Sequence, residues 1–171
     1  MPIVQRSSNV FVLTDSPDVV DSGIIDELKR AADASPLKRA RLCLHRANED
    51  PVHEMLIVLA GDVYIRPHRH LGKPESFHLL EGEVSALFFN VEGEPEREER
   101  LGRSPGRPFI YRVTHPVYHT QLVWSEHVVF YECTRGPFNK GETEFAPWAP
   151  EEGLPAATEY LQFLKAKFSR S

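Results

Sequence analysis

A chain of 171 residues with 41% apolar content is long enough to bury a sizeable core and matches the size of one domain. Its net charge is −5, with Lys and Arg scattered along the chain, which argues against nucleic-acid binding through a basic face. No apolar run reaches the length of a membrane-spanning helix. The N-terminal MPIVQRSS lacks a basic-then-apolar leader, so a cytoplasmic setting is expected. In that setting Cys43 and Cys133 read as free thiols acting as small apolar residues.

Asn9 to Leu13 is predicted as a short strand. Asp21 or Ser22 is placed to cap a helix running to about Ala34, because Ile24, Ile25, Leu28 and Ala32 form one apolar stripe, and Ser35-Pro36 ends it. From Leu37 the period shortens to that of strands: Arg39, Arg41 and Cys43 alternate with Ala40, Leu42 and Leu44. Further strands are predicted at His53 to Leu59, Asp62 to His70, Glu75 to Leu80 and Val84 to Asn90. A turn over 91–94 leads into the charged stretch Glu96 to Arg100, read as the arm of an exposed edge hairpin. Phe109 to Val113, Thr120 to Trp124 and His127 to Thr134 complete the set. Gly136 to Pro150 reads as a proline-punctuated arm. Pro155 suits the first turn of a helix to Phe168, with Tyr160, Leu161, Leu164 and Phe168 as its apolar stripe.

Fourteen prolines and ten glycines spread between short strands predict an antiparallel sandwich or barrel. The expected organisation is a single domain over 1–171: an N-terminal strand and helix extension (1–36), a barrel (37–135), and a C-terminal arm and helix (136–171).

The chemistry concentrates between Gly61 and Gly82, where the sequence is GDVYIRPHRHLGKPESFHLLEG. Residues i and i+2 of a strand share a face, so His68 and His70 point together. Gly72 and Pro74 let the chain turn back, and Glu75 opens the return strand level with the two imidazoles. His119 lies further along and supplies a third imidazole, with His115 as its competitor. Imidazoles and an ionised carboxylate suit one divalent transition metal per chain: iron, zinc, manganese or nickel.

This segment resembles the first conserved motif of the cupin superfamily. Thr114-His115-Pro116-Val117-Tyr118-His119 is similar to the second, with His119 in the ligand position. Thr114 and Pro116 stand where proline and glycine are usual, and Val123 replaces a common asparagine. Within the superfamily the WbuC-type metalloproteins are the nearer likeness. Residues 39–41 (Arg-Ala-Arg), His45, His53-Glu54-Met55, Pro67-His68-Arg69-His70, Gly136-Pro137-Phe138 and Trp148-Ala149-Pro150-Glu151 carry it, over roughly residues 37–152. The resemblance implies a mostly β double-stranded β-helix, the cupin jelly-roll barrel, flanked by the N- and C-terminal helices. It implies metal ligation by His68, His70, Glu75 and His119, and a place in surface-polysaccharide metabolism. Cupins commonly pair, so a homodimer is expected, with strands apolar on both faces (Met55 to Leu59, Ala86 to Phe89) offering a surface.

Alternation nominates the remaining site residues. Tyr64 and Arg66 share the parity of His68. Tyr64 and His53 are candidates for moving protons, with a structural histidine as the alternative for His53. Arg66 reads either as a clamp for a substrate carboxylate or phosphate or as a rim arginine paired with a carboxylate. Gln121 shares the face of His119 and is placed to bind a sugar hydroxyl. Lys73 reads as an anion-binding residue at the mouth or as a solvated loop lysine. Tyr131 reads as pocket lining or as core, and Trp148 as a lid or an anchor. His78 has the wrong parity to reach the metal.

Two enzymatic readings follow. One is metal-assisted isomerisation or epimerisation of a small molecule such as a sugar or nucleotide-sugar; the other is an iron-dependent dioxygenase. A non-catalytic barrel binding a small ligand is the third reading.

Overall fold

The computed structural model describes residues 3–14, 16 and 18–169; the first two residues of the N-terminal segment and the last two of the C-terminal one lie outside it. The described chain forms β1 (Ile3–Ser7), β2 (Val10–Leu13), α1 (Ser22–Ala34), β3 (Arg39–Cys43), β4 (Val52–Ala60), β5 (His68–His70), β6 (Glu75–Glu81), β7 (Val84–Phe89), β8 (Pro95–Leu101), β9 (Ile110–Val113), β10 (Tyr118–Val123), β11 (His127–Arg135), β12 (Thr143–Phe145) and α2 (Pro155–Phe168). It is mostly β, in two sheets. One has seven strands in the order β1-β2-β3-β4-β11-β6-β9, the other five in the order β12-β5-β10-β7-β8. Only the β2–β3 pairing is parallel among the described strands.

Period-2 patterning explains the layering. On the seven-stranded sheet, Ala40 and Leu42 of β3, Leu56 and Val58 of β4 and Val129 of β11 pack with Ile24, Leu28 and Ala32 of α1. The other face gives Leu59, Phe77, Leu79 and Phe130 to a core shared with Val84, Ala86, Leu101 and Val123 of the five-stranded sheet. On that sheet's far side, Leu87, Phe89, Tyr118 and Leu122 pack with Leu161 and Leu164 of α2. Each helix therefore covers the outer face of one sheet.

Local chemistry sets the element ends. Asp21 caps α1 by accepting from the Ile24 amide at 3.0 Å. Gly82 adopts φ +88° between β6 and β7, where a Cβ would sit 2.3 Å from the His127 carbonyl oxygen; only glycine fits so close an approach.

One predicted strand is shorter than expected. The stretch Asp62 to His70 keeps only His68–His70 in the ladder. Pro67 has no N–H to donate and holds the preceding residues out of the sheet. Two elements were not visible in the sequence: β1, which pairs with β2, and β12, which pairs with β5 through Thr143↔His70 and Phe145↔His68.

Candidate metal centre

Strand register assembles the site from both sheets. His68 on β5 stands opposite His119 on β10. His70 follows two residues after His68 and therefore on the same face. Glu75 opens β6 in the facing sheet, opposite Thr134 of β11. The ligand atoms of His68, His70 and His119 all lie within 4.8 Å of one another. Glu75 Oε2 is 3.2 Å from His70 Nε2 and 3.4 Å from His119 Nε2. Ligand atoms held about 2.1 Å from a tetrahedral ion sit roughly 3.4 Å apart, so the two Glu75 spacings fit a metal.

The tautomers sharpen the argument. His68 Nδ1 faces the Arg66 carbonyl at 2.9 Å, and His119 Nδ1 faces the Val117 carbonyl at 3.0 Å. A carbonyl oxygen only accepts, so each Nδ1 carries the proton and each Nε2 presents a lone pair to the centre. His70 Nδ1 is fixed by Thr143 Oγ1 at 3.2 Å. This is the support that orients ligating imidazoles. Glu75 is 6% exposed, and its Oε2 is buried without a hydrogen-bond partner among the described residues. With its ring neutral, the His119 contact with Glu75 is a meeting of acceptor atoms, which a cation at the centre would satisfy.

The electrostatics follow from burial. Burial, with His119 adding to it, lowers the His68 imidazole to about 3. Burial works to raise Glu75, but His119 and His70 outweigh it and hold the carboxyl well below its usual range. Against burial, the Glu75 carboxylate raises His119. Beside them Glu132, buried and facing the Glu75 charge, is pushed well above the usual carboxyl range. Burial and the Glu75 charge likewise raise Tyr111.

The cluster opens on a cavity of about 420 Å³ between the sheets. His68, His70 and Glu75 line it, as do His53, Lys73 and Gln121; His119, 1% exposed, is sealed in the wall. Gln121 Nε2 donates to the Tyr111 hydroxyl at 2.8 Å. His53 Nε2 is 3.2 Å from the Asn48 carbonyl, and its ring stacks on His45 at 4.0 Å.

Three nominated residues lie elsewhere. Tyr64 packs against α2, donating to the Pro150 carbonyl at 2.9 Å. Arg66 pairs with Glu151 at 3.7 Å and lies over the Phe145 ring. With no ladder before His68, alternation counted back from it does not hold, and Ile65 lines the cavity instead. Tyr131 packs on the α1 side and donates to Glu54, because the cavity face of β11 carries Phe130, Glu132 and Thr134. Trp148 packs on Phe89 and Tyr118 and anchors the arm, while Phe138 and Thr143 of that arm line the cavity. His78 lies against Phe109, away from the cavity, and His115 is exposed. Glu132 went unnoticed in the sequence, although a lone carboxylate in an apolar strand was its signal.

Residues 20–101 match the model of a family described as a domain of unknown function, DUF6016. No curated protein matches the chain in sequence. Among solved structures, oxalate oxidase in complex with the substrate analogue glycolate is similar at 13% identity, covering 81% of this chain and 76% of that one, with TM-score 0.51. Protein SO0799 from Shewanella oneidensis is similar at 13% identity, covering 61% of this chain and 72% of that one, with TM-score 0.50. A cupin superfamily protein from Desulfitobacterium hafniense DCB-2 has 13% identity, covering 57% of this chain and 76% of that one, with TM-score 0.45. At these identities the likeness is one of fold.

Proposed function

We propose that the chain is a cupin-type metalloenzyme: a jelly-roll barrel, formed by one domain over 1–171, that holds one divalent transition metal on His68, His70, Glu75 and His119. Its reaction is isomerisation or epimerisation of a small polar molecule of the sugar class. One observation carries the reading: three imidazoles and a carboxylate from both sheets converge at the wall of a molecule-sized cavity. A bound metal supplies Lewis-acid polarisation of neighbouring substrate oxygens. Glu132, a carboxyl held neutral beside the cluster, stores a transferable proton. Gln121, steadied by Tyr111, orients a hydroxyl, and the apolar wall of Met55, Ile57 and Phe130 excludes water.

Surface-polysaccharide metabolism in the cytoplasm rests on the WbuC-type resemblance. A homodimer is supported by the exposed Phe109 and Ile110, 44% and 52% accessible, on the open edge at β9. Elemental analysis of untagged protein, purified without chelator, tests the site. About one iron, zinc, manganese or nickel per chain is expected. Less than about a tenth, with no uptake on titration, overturns it. Aldose–ketose conversion with solvent deuterium entering the substrate carbon supports the reaction; dioxygen consumption by the iron-loaded protein replaces it with a dioxygenase.

A further inference from the structure

Besides the imidazole cluster, the cavity is lined by basic side chains. Alternation along β3 sends Arg39 and Arg41 to the cavity side, and the loop between His70 and Glu75 sends Lys73. One of these three cations, and others outside the lining, are already neutralised. Arg39 makes a two-pronged pair with Glu152 at 3.0 and 2.8 Å. Arg66 pairs with Glu151, Arg69 with Glu144 and Arg135 with Glu142. Among the described residues, Arg41 and Lys73 have no carboxylate within ion-pair distance.

The stacked rings of His45 and His53 also line the cavity. His45 Nδ1 faces the Glu54 carbonyl at 3.1 Å and His53 Nε2 the Asn48 carbonyl at 3.2 Å. With those nitrogens protonated, the other nitrogen of each neutral ring is an acceptor. Arg41 is level with Ile57 of β4, Phe130 of β11 and Leu79 of β6, four residues along β6 from Glu75.

We infer that the ligand of this cavity is a hydroxylated small molecule carrying an acid group, carboxylate or phosphate, bound by Arg41 and Lys73 in the cavity that the imidazole cluster lines. The inference rests on the metal-site reading for what happens at the cluster. Arg41 supplies the planar fork that suits either acid, and Lys73 a point charge.

Calorimetric titration of the full-length, metal-loaded protein with D-gluconate, D-glucose 6-phosphate and neutral D-glucose tests it. One of the two acids is expected to bind at least about tenfold tighter than glucose, and which one identifies the group. Arg41→Gln and Lys73→Gln are each expected to weaken that acid about tenfold, the loss of one charge-assisted contact, with metal content unchanged. Arg103→Gln, on a loop remote from the cavity, is expected to change nothing. Equal binding of all three probes, no binding of either acid, or indifference to both cavity variants overturns the inference. The metal reading fails separately: His70→Ala is expected to remove metal yet leave the Arg41-dependent gap between acid and glucose. A wild-type protein that takes up no metal but keeps that gap refutes the metal site alone.

Discussion

The two buried groups with opposite shifts, His68 and Glu132, predict diverging pH profiles when removed singly. In the metal-free protein His68 titrates near 3 rather than 6.5. Below 6.5 the unfolded chain takes a proton that the native state refuses, so this group makes stability rise with pH between about 3 and 6.5. Glu132 is raised well above 4.5. Above 4.5 the native state keeps a proton that the unfolded chain releases, so this group makes stability fall as pH rises. Glu75, held well below 4.5, contributes stability that is lost only as pH falls below that value. His119, raised above 6.5, keeps its contribution intact below 6.5.

Between pH 4.5 and 6.5 His68 and Glu132 therefore oppose each other. Each full proton of difference is worth about 1.4 kcal/mol per pH unit. Removing His68 leaves the Glu132 slope, and removing Glu132 leaves the His68 slope, so the two profiles should diverge by up to about 2.7 kcal/mol per pH unit. Groups common to both variants cancel. The assay is urea unfolding of metal-stripped His68→Gln and Glu132→Gln at pH 4.5, 5.5 and 6.5. Stability should change with pH more positively in the second variant than in the first. Parallel profiles would refute the assignment of His68 as neutral and Glu132 as protonated.

Alanine at His68, His70 or His119 should abolish most metal uptake while His78→Ala leaves it intact, as elemental analysis will show; equal losses at His70 and His78 would overturn the site. Gly82→Ala should cost about 2 kcal/mol or more, since φ +88° is strained for a side chain and the new Cβ meets the His127 carbonyl at 2.3 Å. A denaturation midpoint that barely moves would contradict that packing. Phe77→Ala, which removes a fully buried ring stacked on Phe130 at 3.8 Å, should cost about 3–5 kcal/mol. Tyr64→Phe should leave metal content and ligand binding unchanged and cost about 1 kcal/mol through its lost bond to the Pro150 carbonyl; a large loss of binding would return Tyr64 to the cavity.

The helices were legible because capping and spacing are local. Asp21 and the Ile24, Leu28, Ala32 stripe state where α1 begins and which face it buries, and Pro155 does the same for the start of α2. His68, His70 and Glu75 were legible for a similar reason, since they fall within one turn-and-return. What alternation missed depends on pairing. A run of apolar and aromatic residues such as β11, buried on both faces, gives no sign of which parity faces the cavity. Glu132 therefore gave no sign that it faces the cavity, and of the two readings of Tyr131 the structure takes the core one. Tyr64 misses the cavity, and Arg66 takes its other reading as an arginine paired with a carboxylate, because Pro67 breaks the ladder that parity counting assumes. β12 escaped because three residues in a proline-rich arm have no pattern of their own; only their pairing with β5 makes them a strand, and Thr143 acquires its contact with His70 only then.

The origin of the ligands gives the centre a structural consequence. His68, His70 and His119 belong to the five-stranded sheet and Glu75 to the seven-stranded one, so an ion held by all four ties the two layers together at the cavity. Without it, the layers at this point are joined by the Gln121–Tyr111 bond and by contacts between acceptor atoms that repel unless a proton intervenes. His119 is the group raised by Glu75 to take that proton. Proton and metal therefore compete for one position, and acid should release the metal before it unfolds the chain. At a hundredfold excess over its dissociation constant, a metal that binds only the folded state adds about 2.7 kcal/mol. An ion held there would keep the cavity at a fixed width, because its Glu75 ligand belongs to one sheet and its imidazole ligands to the other.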